Sequence, residues 1–196
     1  MAERYDERLL RNQLAGLDAD ELIIFGLSVA ERMLPNFRRF VTETDWGDET
    51  VLRRALDLGW LRVAEGSIDA QRARSLQDAC LEQAPNTEDF TTVRVSAALD
   101  AANSAASVMA LLIERDVERA VDIASYGRDS VDLIVQEIES MPSAAPDLEE
   151  RIRLHPMMQR ELCNQREALE LIASGMSPGD AAKRWRSPIF GSTENE

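Results

Sequence analysis

Apolar residues recur along the chain at steps of three and four, the spacing that places side chains on one face of an α-helix. Between residues 22 and 34 there are two such rows. One contains Leu22, Phe25, Val29 and Met33, and the other contains Ile23, Leu27, Ala30 and Leu34. A helix with two apolar faces is buried on most sides. The pattern therefore predicts an all-α protein in which this segment lies inside the core.

Capping residues, glycines and prolines predict where the helices begin and end. Asp18 and Glu21 form a capping-box pattern that begins a helix extending to about residue 34. Pro35 is expected to end that helix and to begin a shorter one over about 35–44. Similar signals predict helices over about 3–15, 48–65, 68–84, 87–113, 116–140, 156–174 and 178–186, and a short one beginning near 147. We expect a single all-α domain over residues 1–186, a compact bundle of about eight helices. The predictions add a linker over 141–146 and a frayed tail over 187–196.

The predicted helix over 87–113 is lined by small side chains. Alanine occupies positions 97, 98, 101, 102, 105 and 106. Neighbouring helices can approach such a surface at the short end of the usual 8–10 Å range. We therefore expect this helix to be the centre of the bundle. The same small-residue face, with the apolar rows, leads us to expect a homodimer.

Charge and composition exclude several classes of protein. The 196 residues carry a net charge of −14, so the chain lacks the positive field that binding to nucleic acid requires. The N-terminal residues show no basic segment followed by an apolar run, as a secretory signal would. The charge-free stretch Ala101–Ile113 is too short and too polar to span a bilayer. We expect a cytoplasmic protein that does not bind a membrane.

The residue inventory also excludes several kinds of catalytic site. The chain has one histidine, His155, and two cysteines, Cys80 and Cys163, which are far apart in sequence. Helical di-metal sites need two Glu-x-x-His motifs, and structural zinc sites need four cysteine or histidine ligands. No phosphate-binding glycine loop with a lysine is present. We therefore predict no metal and no cofactor.

One group of polar residues is the main candidate site. Its members are Glu31, Arg32, Asn36, Arg53, Arg54, Asp57 and Trp60. Two or three guanidinium groups beside an indole could bind a carboxylate or a phosphate. Alternatively, the same residues form an ion-paired network that ties helices together, with Trp60 in the core and Arg32 meeting Asp57. The net charge of zero over residues 31–62 favours the network.

Two further sets of polar residues are secondary candidates. Asp100 and Asn103 lie in a polar strip on the alanine-rich helix, together with Ser96, Ser104 and Ser107. The strip would line a pocket or, as we favour, face solvent. Glu161 and Gln165 share a helix face and could bind an arginine elsewhere. Ordinary surface polarity is the interpretation favoured for this second pair.

Several of these residues stand in an order that resembles the YjaG-like family of bacterial proteins, a domain of unknown function. The matching positions are Glu31 to Asn36, Phe40, Gly47-Asp48, Arg53-Arg54, Leu56 to Leu58, Trp60, Pro85, Ala98 to Ala101, Ala120-Val121, Pro156, Glu161, Gln165 and Glu167. The resemblance implies a compact all-α cytoplasmic domain and supplies no catalytic residues. Two hypotheses follow. The first is a non-enzymatic module that binds an unknown protein partner. The second is a small-anion-binding protein or enzyme with an arginine-lined site.

Overall fold

A computed structural model describes residues 2–141 and 146–186 of the chain. The expected tail over 187–196 and residues 142–145 of the expected linker lie outside the described residues. Within the described ranges the secondary structure consists of nine α-helices and one short 3₁₀ turn, with no strand. The helices are α1 Glu7–Ala15, α2 Ala19–Thr44, α3 Glu49–Glu65, α4 Ala70–Glu82, α5 Arg94–Ile113, α6 Val117–Ile138, α7 Leu148–Leu154, α8 Pro156–Ala173 and α9 Pro178–Trp185. The all-α prediction is confirmed.

Aspartate side chains begin five of the helices. Asp6, Asp18, Asp48, Asp69 and Asp116 each accept a hydrogen bond from a backbone N–H in the first turn of α1, α2, α3, α4 and α6. Such a bond satisfies one of the four N–H groups that have no partner within the helix. The local sequence therefore fixes these boundaries before any tertiary contact forms.

Helix α2 continues through Pro35, so the predicted break at this residue is wrong. The helix has 26 residues, and Pro35 lies inside it with its ring exposed. A proline within a helix costs about 3 kcal/mol because it removes one hydrogen bond and crowds the preceding turn. Phe37 and Phe40, just beyond it, are completely buried. Burying two phenylalanines contributes about 3–6 kcal/mol, which offsets the proline.

The start of the central helix also differs from the prediction, because α5 begins at Arg94 rather than near residue 87. Residues Thr87–Asp89 form a 3₁₀ turn that Asn86 caps, and Phe90 is extended. The Phe90 ring packs edge-on against Phe40 and Trp46, with ring centroids 4.9 and 5.5 Å apart. This aromatic cluster holds the chain extended where the capping pattern alone predicts a helix.

Helix α5 is the centre of the bundle, as its alanines predict. It packs against α2, α3, α4 and α6, and all six of the alanines noted above are buried. By length and hydropathy α5 is the one helix among the described residues that could cross a membrane, but 67% of its apolar window is buried inside the bundle. A core helix has the same properties.

The apolar interior consists of two clusters. The larger extends through α1 to α6 and includes part of α8 and α9. The smaller joins α6, α7 and α8 and contains Val135, Ile152, Met158 and Leu162. Short helix α7 is anchored to the bundle through this smaller cluster, which forms the base of the groove described below.

Candidate functional site

Glu31 on α2 is a buried carboxylate that three donors hold. Its side chain is 1% exposed, and Arg53 on α3 donates from Nη1 to Oε2 at 2.8 Å and from Nη2 to Oε1 at 2.7 Å. The indole Nε1 of Trp60 donates to Oε1 at 2.7 Å. A bidentate pair of this kind is among the strongest side-chain hydrogen bonds. The contact fastens α2 to α3.

Arg53 has a second carboxylate partner on its own helix. Its Nη2 lies 3.0 Å from Oδ1 of Asp57, and Arg186 also binds Asp57 at 2.9 Å. Burial works against the charged guanidinium, but Glu31 and Asp57 outweigh it and raise the pKa of Arg53. The two carboxylates therefore favour the charged form of Arg53, and both of its terminal nitrogens are bound to them.

Arg32, the next residue on α2, is bound to α8 and not to Asp57, so the expected contact with Asp57 is absent. Its Nε and Nη2 donate to the two carboxylate oxygens of Glu161 at 3.1 and 2.9 Å. Its Nη1 donates to the backbone oxygen of Ser28 at 2.5 Å. Arg32 thus joins the middle of α2 to α8.

Glu161 and Gln165 are interior residues, which corrects the interpretation that they are ordinary surface polarity. They are 7% and 4% exposed. The Gln165 amide donates to Glu161 Oε1 at 2.8 Å and to the backbone oxygen of Ala124 at 3.0 Å. A Cβ added to Gly127 on α6 would lie 3.0 Å from Glu161 Oε1 and 2.9 Å from Val29 Cγ1. The close approach of α6 to this pair therefore depends on a glycine.

Asn36 and Arg54 are not part of either ion-paired group. Asn36 is half-buried, and its side chain makes no hydrogen bond within the described ranges. Arg54 is exposed, and its Nε donates to the backbone oxygen of Thr50 at 3.3 Å. Of the three arginines in the main candidate cluster, two are therefore neutralised by carboxylates of this chain. Arg54 is the one exposed guanidinium of the cluster.

The polar strip on α5 faces the interior, which corrects the expectation that it faces solvent. Ser104 and Ser107 are buried and Asn103 is half-buried. Asp100 accepts a hydrogen bond from the Ser130 hydroxyl of α6 at 3.1 Å. Burial raises the pKa of Asp100 to about 6. The Ser130 hydrogen bond opposes this shift in the pKa of Asp100, and the charge of Asp129 adds to it.

The residues most often used in catalysis are dispersed. Across residues 2–141 and 146–186 no three histidine, cysteine or acidic side chains are placed to hold a metal ion. Cys80 is buried and Cys163 is half-buried, and both are free thiols. His155 begins α8, where its Nδ1 accepts a hydrogen bond from the Met157 backbone at 3.2 Å. Its Nε2 faces Glu139, the residue that follows α6, at 3.7 Å.

A groove of about 1170 Å³ lies where the N-terminal segment, α6, α7 and α8 meet. We call it the α6–α7 groove. Its apolar lining is formed by Tyr5, Leu148, Ile152, Met158 and Leu162, and so includes most of the smaller apolar cluster. Its polar lining is formed by Arg4, Arg128, Asp132, Gln136, Asp147, Glu149, Glu150 and Arg153. No residue of the groove was a candidate in the sequence.

The N-terminal segment forms one side of the α6–α7 groove because it is extended rather than helical. The sequence predicts a helix from about residue 3, but Asp6 caps α1, so that residues 3–5 lie outside the helix. The Glu3 backbone exchanges two hydrogen bonds with the Gln159 side chain, at 2.6 and 2.8 Å. The Arg128 guanidinium lies over the Tyr5 ring, 4.3 Å from its centroid. The capping preference of Asp6 was the sequence signal that could have predicted this segment.

Comparison with known proteins places the chain among proteins without an assigned function. The family described as "Protein of unknown function (DUF416)" matches residues 10–182. The chain is 26% identical over 165 residues to "Uncharacterized protein YjaG" of Salmonella typhimurium and to the protein of that name in Escherichia coli K12. Each alignment covers 82% of this chain and 80% of the relative. The crystal structure of a DUF416 family protein from Shewanella baltica has a similar fold, with a TM-score of 0.77 and 21% identity, over 88% of this chain and 89% of that one.

Proposed function

We propose that this chain, which belongs to the DUF416 family of proteins of unknown function, is a non-enzymatic cytoplasmic module that binds a partner protein in the α6–α7 groove. The observation that carries the proposal is the composition of the groove. Aliphatic and aromatic side chains form its base, and charged side chains surround them at the surface. An apolar patch with a polar rim is typical of protein interfaces.

The size of the groove supports a protein partner over a small molecule. Small-molecule sites have volumes of about 300–1,000 Å³ and enclose most of the ligand. The α6–α7 groove, at about 1170 Å³, is larger, and Arg4, Asp147 and Glu149 on its lining are exposed. A large, open groove of this kind suits a peptide segment of a partner protein that lies along it.

The alternative, an anion-binding protein or enzyme, has weaker support. It would use the arginines of α2 and α3, but Arg32 is bound by Glu161, and Arg53 is bound by Glu31 and Asp57. An anion would have to displace these carboxylates from partly buried positions. Breaking a buried ion pair costs about 3–5 kcal/mol, comparable to the whole binding free energy of a millimolar ligand.

Site-specific photo-crosslinking in cells tests the proposal. A photoreactive amino acid at Leu148, inside the groove, is expected to give discrete covalent adducts with another protein. The matched control is Leu81 on α4, an aliphatic residue 48% exposed and outside the groove, which is expected to give none. Equal yields at the two positions, or no adduct at either, would contradict the proposed function.

A homodimer also remains a prediction, but the small-residue face of α5 cannot form its interface. The alanine face of α5 is packed inside one chain, so a dimer would use other surfaces. The contact between Glu139 and His155 brings the end of α6 to the start of α8. Ile138, Leu154 and Met157, which are 60%, 49% and 37% exposed, lie beside that contact. Light scattering at high micromolar concentration tests this prediction, and a monomer there would refute it.

A further inference from the structure

We infer that the occupant of the α6–α7 groove is a cationic amphipathic helix of the partner protein. This inference rests on the proposed function and adds the chemistry of the partner. Two properties of the groove support this inference. Its apolar base is long enough for about two turns of helix, and several of its carboxylates have no cationic partner among the described residues.

The base of the groove is apolar along two helices, α7 and α8. Ile152 on α7 and Met158 and Leu162 on α8 are buried members of the smaller cluster, and Leu148 is packed against them. The apolar side chains of an amphipathic helix, spaced by three and four residues, fit a continuous base of this kind.

The dimensions match about two turns of helix. A helix with its side chains is a cylinder about 10–12 Å in diameter, and two turns are about 11 Å long. Such a cylinder occupies roughly 900–1,200 Å³. The α6–α7 groove, at about 1170 Å³, has that capacity.

The arginines of α6 and α7 in the groove already have partners. Arg128 is bound to Asp129 at 2.6 Å, and Arg153 is bound to Glu150 at 2.6 Å. Neither pair adds net charge to the groove. Within the described ranges Arg4 is the one cation of the lining that makes no ion pair, although its charge adds to that of Arg153 in lowering the pKa of Glu150.

Three carboxylates of the lining have no cationic partner among the described residues. Asp132 on α6 accepts a hydrogen bond only from the neutral Gln136 amide, at 2.6 Å. Asp147 begins α7 without a capping hydrogen bond, and Glu149 follows it in the first turn. Asp132 comes from α6, while Asp147 and Glu149 come from the α7 side. Lysine or arginine side chains on both flanks of a bound helix would therefore meet a carboxylate.

The charge of the whole chain favours the same occupant. Residues 63–150, which include all of α6, carry a net charge of −12. An acidic surface accelerates the encounter with a basic partner and repels an acidic one. A second copy of this chain, with its net charge of −14, is therefore a poor occupant of this groove. Nucleic acid is disfavoured for the same reason.

Fluorescence anisotropy with designed peptides tests the inference on the full chain. The probe is an 18-residue helix with leucine at positions spaced by three and four and with lysine on the flanks. One control peptide replaces every lysine by glutamate, and a second scrambles the order of the same residues so that no apolar face forms. We expect the cationic amphipathic peptide to bind at least tenfold more tightly than either control peptide.

Two protein variants separate the groove from the overall charge. Asp132→Asn/Asp147→Asn/Glu149→Gln removes three carboxylates from the groove and is expected to weaken binding about tenfold. Glu65→Gln/Asp78→Asn/Glu82→Gln removes the same charge from exposed positions of α3 and α4. This matched control is expected to change affinity by less than twofold. All six substitutions exchange an exposed or half-buried carboxylate for its amide, and unchanged thermal midpoints check that both variants are folded.

Each outcome decides between the inference and the proposed function. Equal weakening in the two variants, or equal affinity for the scrambled peptide, indicates general attraction to an acidic protein and overturns the inference. Tighter binding of the glutamate peptide overturns it as well. If crosslinking at Leu148 captures a partner while the cationic peptide does not bind, the inference fails and the proposed function stands. If neither experiment gives a signal, both fail.

Discussion

The buried ion pair between Glu31 and Arg53 provides the sharpest test of how the structure is held together. We predict that Glu31→Leu strongly destabilises the fold, although leucine has a similar size and greater hydrophobicity. The substitution removes the two hydrogen bonds that Glu31 accepts from the Arg53 guanidinium and the one that it accepts from the Trp60 indole.

The magnitude follows from what the substitution leaves behind. The Arg53 side chain is 13% exposed, so most of its charge stays buried with Asp57 as the remaining partner at 3.0 Å. Breaking a buried ion pair costs about 3–5 kcal/mol. Leaving the buried indole N–H of Trp60 without an acceptor costs about 1–3 kcal/mol, which we include in that figure. We expect a total of about 3–5 kcal/mol, because Asp57 remains. That is a large fraction of the 5–15 kcal/mol typical of a domain.

The same reasoning predicts that a second substitution restores stability. Arg53→Met in the Glu31→Leu background removes the uncompensated charge, while Asp57 keeps Arg186 as its partner. Replacing a whole buried pair with apolar residues is often close to neutral. The double variant is therefore expected to be at least about 2 kcal/mol more stable than the sum of the single effects implies.

Urea denaturation followed by circular dichroism measures all three variants. The control is Glu118→Gln, which removes an exposed carboxylate bound to Arg11 and is expected to leave the midpoint unchanged. Two results would refute the reasoning. One is a cost below about 1 kcal/mol for Glu31→Leu, and the other is strict additivity in the double variant.

Three further predictions concern the close approach of α6, the buried carboxyl group and the thiols. Gly127→Ala is expected to lower the free energy of unfolding by about 1–3 kcal/mol, because the added Cβ would lie within 3.0 Å of two side chains. The control is Gly16→Ala, because Gly16 has a φ of −78° and the nearest atom to an added Cβ is 3.4 Å away. Its free energy of unfolding in urea is expected to stay within about 1 kcal/mol of that of the original chain. Because the pKa of Asp100 is raised from 3.8 to about 6, stability falls as the pH rises through that interval. Asp100→Asn is therefore expected to stabilise by about 1–2 kcal/mol at pH 7.5 and by nothing at pH 3.5, and equal gains at both pH values would contradict this. Burial raises the pKa of Cys80 to about 12, so a thiol reagent is expected to label Cys163 in the folded protein and Cys80 only after unfolding.

Helix boundaries set by local hydrogen bonds were predictable from the sequence. Asp18 and Asp48 are examples, because the side chain that begins each helix lies within three residues of the N–H group that it accepts from. The burial of the alanine-rich helix was predictable for a similar reason, since small side chains recur on the faces of a single helix. Neither feature requires knowledge of which distant segments meet.

Predictions that relied on a local preference were wrong where a tertiary contact opposed that preference. Pro35 favours a helix break locally, but the burial of Phe37 and Phe40 keeps α2 continuous. Asn86 favours a helix start, but it caps only a 3₁₀ turn, because the packing of Phe90 on Trp46 holds Phe90 extended. In each case the decisive apolar area is buried against a residue that the local pattern does not reveal.

The sequence determined that Glu31, Arg32 and Arg53 would be ionised side chains on apolar helices, which cannot be buried without partners. It did not determine the partners, because Glu161 is 129 residues from Arg32 and the pairing depends on how α8 crosses α2. The groove is also a product of packing, since it joins residues near 5, 130 and 150 that share no motif. Periodicity and capping act over a few residues and therefore belong to the sequence. Which carboxylate meets which guanidinium, and where apolar surface remains open, is decided only when the helices pack.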